Sequence, residues 1–543
     1  MDGEVVEAEE FCDGFVAGFA LLGRLRRLLL RFTSPPAPCA VVIRAGYSLE
    51  DHLALTLMSE SQGAQNGPRE IAVSLAIATL AKQAPITDSL AAAFKEAGHT
   101  LALVGGPVRD AILGRLGNDL DFTTSARPDV TKVILKKWAD AIWDTGAAFG
   151  TIAGKKGDIT VEVTTYRSDV YDPTSRKPEV DFGDSIIGDL GRRDFTVNSM
   201  ALELTTATPE FIDPFDGVSD LAKRVLRTPG KATDSFSDDP LRMMRAARFM
   251  SQLDFTVDDE VVAAMSEMAD RISIISAERV RDEFTKILMS DRPRLGLLLL
   301  VETGIAAIVL PELPMLKLEI DEHHHHKDVY EHTLTVLEQA IALEDRLGGP
   351  NLVIRLAALL HDIGKPKTRE LIPGGGVSFH HHEVVGARMA KARLKALRFD
   401  NETIESVNTL VFLHLRFHGY GSGEWTDSAV RRYVRDAGDL LTHLHVLTRA
   451  DCTTRNAKKA ATLAATYDSL EARIAALQEE EELNAIRPDL DGNQIIEILG
   501  IKPSPLVGKA YAHLLELRLD RGPLGEEVAK SELLAWWKAN GPQ

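Results

Sequence analysis

Cysteine is scarce. Cys12, Cys39 and Cys452 are the three in 543 residues, and no spacing among them suits a metal. That rules out a disulfide framework and points to a reducing, cytoplasmic setting. Long apolar runs are missing too. The stretch from Phe15 to Phe32 is broken by Arg24, Arg26, Arg27 and Arg31 and follows an acidic start, unlike a secretory signal. No segment reaches the ~20 apolar residues that span a bilayer, so no membrane partner is expected. Positive charge is in deficit, with 62 Lys and Arg against 80 Asp and Glu and a net charge of −18. Such a chain does not coat nucleic acid indiscriminately. Any RNA contact has to come from a local basic surface.

At ~150 residues per domain the length calls for three or four domains. Residues 1–82 hold no clear period and are interrupted by Pro35, Pro36 and Pro38. They are expected to be a partly disordered extension, with residues 1–57 either disordered or mis-assigned upstream of Met58. Sharper patterns begin at Thr87, where Thr87-Asp88 can cap a helix running to Glu96. Thr100 to Val104, Asp119 to Thr123 and Ile159 to Thr165 read as strands, and Pro107 fits the first turn of a helix. After Asp234 the periodicity is helical, at 240–253, 258–269, 276–290 and 331–347 and onward to 478.

Three motifs carry chemistry. The first is Gly105-Gly106-Pro107-Val108-Arg109-Asp110 followed by Asp119-Leu120-Asp121. A strand, two glycines and a helix start let backbone N–H groups approach a phosphate, and Arg109 adds charge-assisted bonds. On a strand, Asp119 and Asp121 face the same side, so their carboxylates suit Mg²⁺, which takes such oxygen ligands together with those of substrate phosphates. The plain alternative is an acidic strand end beside a glycine turn. The second motif runs from Arg192 to Ala201, where two arginines before an amphipathic helix could grip a triphosphate or merely cap it in solvent. The third is Asp238-Asp239-Pro240-Leu241-Arg242 with Arg245 and Arg248. Steps of three put the three arginines on one broad helical face, either an anion site or a surface ion-pair ladder.

These strings, with Asp213 to Gly217 and Asp239 to Phe249, resemble the class II tRNA nucleotidyltransferase and bacterial poly(A) polymerase family over about residues 85–310. The resemblance implies Mg²⁺ at Asp119 and Asp121 as the catalytic pair. It implies nucleotide contacts at Gly105, Gly106, Arg109, Arg193, Asp194, Asn198, Asp239, Arg242, Arg245 and Arg248. It also implies an α+β chain, with a polymerase-β-like head carrying a mixed sheet, followed by an all-helical neck and body. Asp238 stands where the family often has Glu and Ser199 where Ala is usual, and Glu162 is a candidate third carboxylate. Physics agrees with the roles implied for Asp239 and Arg242. Cytosine and adenine each offer an amino donor beside a ring-nitrogen acceptor, complementary to a carboxylate beside a guanidinium. Guanine and uracil reverse that pattern and leave polar groups unpaired.

A second set is His332, His361-Asp362, His380-His381-His382-Glu383, His414 and Asp451. It resembles the HD phosphohydrolase superfamily over roughly 320–455. The resemblance implies that His332, His361, Asp362 and Asp451 hold a divalent metal of unspecified identity, with His382 and His414 in a second metal site or the substrate pocket. The family often has Gly where His381 stands. The run His323 to His326 reads as a solvated rim. The unit from Leu490 to Trp537 is either a packing module or a phosphate-backbone contact made by its glycine-bounded helix starts.

The expected domains are the extension (1–82), the nucleotidyltransferase head (83–230), the neck and body (231–318), the HD domain (319–478) and a helical tail (479–543). The implied reaction adds C, C and A to the tRNA 3′ end from CTP and ATP, releasing pyrophosphate, with tRNA as partner and no DNA. The rivals are a poly(A) polymerase, an A-only or CC-only enzyme, and an HD phosphohydrolase with a nucleotide-sensing head. The acidic runs Glu479 to Glu482 and Glu526-Glu527 favour shape recognition of tRNA over general RNA binding.

Overall fold

The computed structural model describes residues 68–541, apart from 168–181, 184, 318–328, 373–376, 420–424, 455 and 482–486. The expectations for residues 1–57 and for the run 323–326 therefore lie outside the described residues.

The head contains α1 (Pro68–Leu80), α2 (Ala84–Glu96), β1 (Leu101–Val104), α3 (Gly106–Ile112), β2 (Asp119–Thr124) and α4 (Pro128–Trp138). Then come β3 (Ala141–Trp143), β4 (Thr151–Lys156), β5 (Ile159–Thr165), α5 (Ile186–Gly191), β6 (Ala201–Glu203), β7 (Glu210–Ile212) and α6 (Gly217–Lys223). The seven strands form one sheet in the order β3-β4-β5-β2-β1-β6-β7. All neighbours are antiparallel except β2 and β5, so the sheet is mixed. Every residue of β1 is buried, whereas β2 alternates at its start: Asp119 and Asp121 face out, Leu120 and Phe122 face in.

Two boundaries in the head differ from the sequence reading. Residues 68–80, assigned to the extension, form a helix that packs on α3 and α6, and Arg69 donates to the Phe211 carbonyl at 3.2 Å. Its Ile71, Ala72, Ala76 and Leu80 are buried, so apolar burial recruits it to the head. Helix α2 starts at Ala84 rather than being capped at Thr87. Pro85 suits its first turn, and the buried Thr87 hydroxyl donates back to the Gln83 carbonyl.

The neck comprises α7 (Ala232–Asp238), α8 (Leu241–Leu253), α9 (Asp259–Glu267), α10 (Ala277–Leu288), α11 (Pro293–Glu302) and α12 (Ile305–Val309). Helix α8 packs against both α10 and α11. The HD domain contributes α13 (Val329–Ile341), α14 (Leu352–Leu360), α15 (His382–Ala396), α16 (Asn401–Leu413), α17 (Asp427–Ala437), α18 (Leu441–Ala450) and α19 (Ala457–Glu481). Helix α19 passes the expected boundary at 478. Buried Arg355 joins neck to HD domain. It makes two 2.7 Å bonds to Glu344 and donates to the Leu288 and Ser290 carbonyls at the end of α10. The tail is α20 (Gly492–Leu499), α21 (Pro505–Arg521) and α22 (Glu526–Asn540), packed around Leu490, Ile495, Ala510, Leu514, Ala529 and Leu533. A capping box centred on Asp491 occupies the N-terminus of α20, which argues for the packing-module reading there.

Candidate active site and metal centre

A cleft of about 370 Å³ opens between the outward face of the sheet and the start of α8. Asp121 and Glu162 line one wall; Arg193, Arg242, Arg245 and Arg279 line the other. Asp121 and Glu162 are register partners on the parallel strands β2 and β5, so their side chains share a face. Asp119 lies two residues away on that same exposed face. Although open to the cleft, Asp121 is walled by protein on most sides. Incomplete solvation, then Glu162, push its carboxyl up to about 6. Asp121 and Glu162, register partners in the cleft, fit a divalent cation, which would relieve their repulsion, with Asp119 on the same face of β2.

Gly105 ends β1 with φ of +75°, a conformation open chiefly to glycine. A Cβ there would stand 2.8 Å from the Arg193 guanidinium, so the glycine makes room for that arginine. Gly106 opens α3 next to it. Arg192 and Arg193 both contact the buried Asp189 carboxylate at 3.3 Å. The amphipathic helix expected after them does not form; a single 3-10 turn at Thr196–Asn198 leads straight into β6. Side-chain bonds replace helical ones, since Asp194 accepts from the Phe195 amide and from Asn198, and Thr196 donates to Asp220.

On α8 the three arginines have different surroundings. Arg242 donates to Ser235 Oγ at 2.8 Å and to the Arg192 carbonyl, which orients it beside the cleft. Arg245 grips Asp194 through two nitrogens. Burial alone would raise the Asp194 carboxyl, but the Arg245 charge and the Asn198 bond hold it well below the usual range. Arg248 does not line the cleft. It is buried, bonded to Glu283 at 3.1 Å, and pushed down to about 10 by burial and by Arg245. Arg109 is likewise buried behind the wall, donating to Asp110 at 3.0 Å and Asn198 at 2.6 Å. Sequence reasoning missed what gathers them. The Phe249 ring has Arg109, Arg245 and Arg248 at 5.5, 5.5 and 4.4 Å, and meets Phe195 edge-on at 5.8 Å. It also missed Arg279, which donates to Asp239 at 2.9 Å while the other Asp239 oxygen caps Leu241 at 3.1 Å. Asp239 is thus both a helix cap and a cleft residue.

The HD residues converge elsewhere. His361 and Asp362 follow the apolar helix α14, His382 opens α15, His414 ends α16 and Asp451 ends α18. Gly364 lets the turn after Asp362 close on α15; a Cβ there would sit 2.1 Å from the His382 carbonyl. Two ligand groups form, His332, His361 and Asp451 in one, Asp362, His382 and His414 in the other. His382 Nε2 lies 3.3 Å and His361 Nε2 3.2 Å from the Asp362 carboxylate. The Nδ1 atoms of His361, His382 and His414 all face backbone carbonyls at 2.6–2.9 Å. That fixes Nδ1 as the protonated nitrogen and turns the Nε2 lone pairs into the cluster, where all three are buried without a hydrogen-bond partner. Burial pushes His414 down to about 3, keeping it neutral. The donor set fits divalent metal at both positions. His381, standing where the related family often has Gly, takes a left-handed φ of +61°.

A mixed-sheet head with paired carboxylates facing arginines across a cleft, followed by a helical neck, is the arrangement of a nucleotidyltransferase. Comparison with known proteins agrees. Residues 101–227 match the family described as the poly(A) polymerase head domain, residues 254–316 the probable RNA- and SrmB-binding site of polymerase A, and residues 329–456 the HD domain. The A-adding tRNA nucleotidyltransferase of Deinococcus radiodurans is 33% identical over 443 residues, 80% of this chain and 94% of that protein. The CCA-adding enzyme of Lactobacillus johnsonii is 41% identical over 212 residues, 39% of this chain and 52% of that enzyme. Among solved structures, the Bacillus stearothermophilus CCA-adding enzyme in complex with CTP aligns at TM-score 0.60 and 23% identity, over 84% of this chain and 98% of that one. The Thermotoga maritima CCA-adding enzyme complexed with tRNA aligns at 0.54 and 19%, over 84% and 95%. These likenesses show a shared fold. The chain belongs to the poly(A) polymerase and tRNA nucleotidyltransferase family and carries an HD domain. Among the described residues no helix is long and apolar enough to cross a membrane.

Proposed function

We propose that this chain extends the tRNA 3′ end in the cytoplasm without a nucleic-acid template, transferring CMP twice and AMP once from CTP and ATP and releasing pyrophosphate. The observation that carries this reading is that Asp121 and Glu162 share one cleft with Asp239 and Arg242. Mg²⁺ held by Asp119, Asp121 and Glu162 would polarise the attacking 3′ hydroxyl and offset charge on the departing pyrophosphate. Arg193 and Arg245 meet the triphosphate, with the Gly105-Gly106 backbone beside them. Asp194 and Asn198 hold Arg245 and Arg109 in line, and Arg109 and Arg248 add positive potential from behind the wall. Asp239 accepts from the amino group of cytosine or adenine while Arg242 donates to the ring nitrogen, so one pair serves both bases.

A second reading is addition of A alone, favoured by the Deinococcus relative, which aligns over most of its length. Incubating the protein with Mg²⁺ and each labelled nucleotide decides, using tRNA lacking its last three nucleotides and tRNA lacking only the last. Incorporation of C into the first substrate together with A into the second supports full addition. Incorporation of A solely into the second supports the A-adding reading. No incorporation into either overturns both.

The HD cluster supports metal-dependent phosphoester hydrolysis as a separate activity, because three buried imidazole nitrogens converge with two carboxylates. Phosphoester turnover with added Mg²⁺, Mn²⁺ or Ni²⁺ in turn, lost in His361→Ala, tests it.

A further inference from the structure

The cleft face of the sheet carries hydroxyls beside its carboxylates. Thr164 follows Glu162 by two residues on β5, so the two side chains share a face, about 7 Å apart along the strand. Thr151 on β4 is the register partner of Thr164, and their Oγ1 atoms lie 2.9 Å apart. Both residues are half-buried and line the cleft.

Other threonines of this sheet are spent on the fold. Thr123, Thr124 and Thr165 are buried, and each donates to a backbone carbonyl, those of Thr164, Thr100 and Ala126. Among the described residues the Thr151 and Thr164 hydroxyls are bonded only to each other. Two hydroxyls hold two protons, and the bond between them uses one. One proton and several lone pairs are left for a group in the cleft. A cross-strand threonine pair contributes packing wherever it stands; this one also opens on the carboxylates.

Its place along the sheet says which group it meets. Strands β1 and β2 are antiparallel, with Leu101 opposite Thr124 and Leu103 opposite Phe122, so the Gly105-Gly106 turn after β1 lies toward the start of β2. Thr164 is paired with Thr123, toward the end of β2. Asp121 and Glu162 stand between the glycine turn and the hydroxyl pair. In phosphoryl transfer the attacking and leaving oxygens are roughly in line, on opposite sides of phosphorus. With the triphosphate at the Gly105-Gly106 turn and Arg193, as proposed above, pyrophosphate leaves on that side. The attacking sugar then arrives from the side of Thr151 and Thr164. Its 2′ hydroxyl is next to the attacking 3′ hydroxyl and is both donor and acceptor, which matches what the pair has left to offer.

We infer that Thr151 and Thr164 bind the 2′ hydroxyl of the terminal ribose of the RNA being extended, so that a ribose end is taken in preference to a deoxyribose end. The inference rests on the nucleotide-addition reading above. In that transfer the 3′ oxygen bonds to the α-phosphorus, the bond from that phosphorus to the bridging oxygen breaks, pyrophosphate departs and the 3′ proton passes to water. The 2′ hydroxyl keeps its proton. Held by the pair, it turns the 3′ oxygen toward Asp121 and Glu162.

The test uses the full-length protein with Mg²⁺, pairing tRNA lacking its last three nucleotides with CTP and tRNA lacking only the last with ATP. Each RNA is prepared with a ribose end and with a 2′-deoxyribose end that keeps its 3′ hydroxyl. Wild type should favour the ribose end in kcat/KM by at least tenfold. Thr151→Val/Thr164→Val, which keeps shape and strand preference, should lose about tenfold of that preference, the effect of one hydrogen bond. Thr151→Ser/Thr164→Ser should keep it. Any intrinsic effect of the missing hydroxyl on its neighbour is common to all the proteins, so the change in ratio between them isolates the pair. Matching melting curves establish that the variants are folded, and Thr151→Val and Thr164→Val singly carry the same comparison if the double variant is not. An equal ribose preference in wild type and the valine variant overturns the inference. So does a valine variant that instead loses its preference for CTP over dCTP, which would put the pair on the incoming sugar. Equilibrium binding of the two kinds of RNA end keeps the two proposals apart. A wild type that binds the ribose end more tightly, and loses that preference on valine substitution, yet adds no nucleotide would overturn the proposed reaction and leave the hydroxyl pair standing. Nucleotide addition with the same ribose preference in every variant would do the reverse.

Discussion

Arg279 Nη2 on α10 donates to Asp239 Oδ2 at 2.9 Å, across 40 residues of sequence and at the edge of the cleft. The bond leaves Asp239 oriented by two partners, Arg279 on one oxygen and the Leu241 amide on the other. Arg279→Ala should therefore loosen the carboxylate without removing it. The expected outcome is a fall of roughly tenfold in kcat/KM for correct nucleotides, with a larger relative rise in misincorporation, since a charge-assisted bond contributes about 1.5 kcal/mol. Arg279→Lys should restore part of the selectivity. An unchanged nucleotide preference in steady-state incorporation would rule out this positioning role.

Asp121 has its carboxyl raised to about 6 in the fold against an ordinary 3.8. Between those values the folded chain holds a proton that the unfolded chain has lost, so this group lowers stability as pH rises through the window. Asp121→Asn should accordingly raise the melting temperature in chelator at pH 7, with a smaller gain at pH 4, while abolishing nucleotide addition. Added Mg²⁺ should stabilise wild type and not the variant. Melting curves at both pH values check the sign.

Asp194 is buried and accepts from Arg245, Asn198 and the Phe195 amide. Asp194→Asn leaves the Arg245 charge without its counter-ion. A stability loss of about 3 kcal/mol is expected, typical of removing one partner of a buried pair. The double variant Asp194→Asn/Arg245→Met should recover much of that loss in a denaturant titration, yet remain inactive if Arg245 meets the triphosphate.

The two ligand groups of the HD cluster predict two metal equivalents per chain. Elemental analysis after dialysis should find about two in wild type and about one in His414→Ala, whose ring belongs to the second group. Loss of both metals in His414→Ala would mean that the groups bind as one unit, and no change would remove His414 from the site.

His381 carries a side chain in a left-handed conformation at the N-cap of α15. His381→Gly should relieve that strain and stabilise the chain by roughly 0.5–1 kcal/mol, part of it offset by the freer unfolded glycine. A lowered melting temperature would mean that the imidazole has a role of its own.

Much of the chemistry was legible along the chain because its local parts are contiguous. Asp119 and Asp121 face one way because a strand alternates, and Gly105 was readable as a turn because its φ is open chiefly to glycine. Helix α8 followed from the periodicity at 240–253. The expected helix after Arg193 did not form, because bonds from Asp194, Thr196 and Asn198 to groups nearby and far along the chain outweighed the local pattern. Nor was α1 legible as part of the head, since its four buried apolar residues acquire their meaning from the surface that receives them.

By itself the sequence determined which residue types were available and how neighbours within one strand or helix are oriented, because those spacings follow from backbone geometry. The tertiary structure decided which of those residues meet. It brought Glu162 beside Asp121 across two parallel strands, set Arg279 on Asp239, and withdrew Arg109 and Arg248 behind the cleft wall around Phe249. The physical reason is that charge is cheap to hold in water and expensive to bury. Where an arginine ends, whether at the cleft beside Asp194 or Asp239 or behind it on Glu283 or Asp110, depends on which carboxylate the fold delivers to it, and no local pattern carries that.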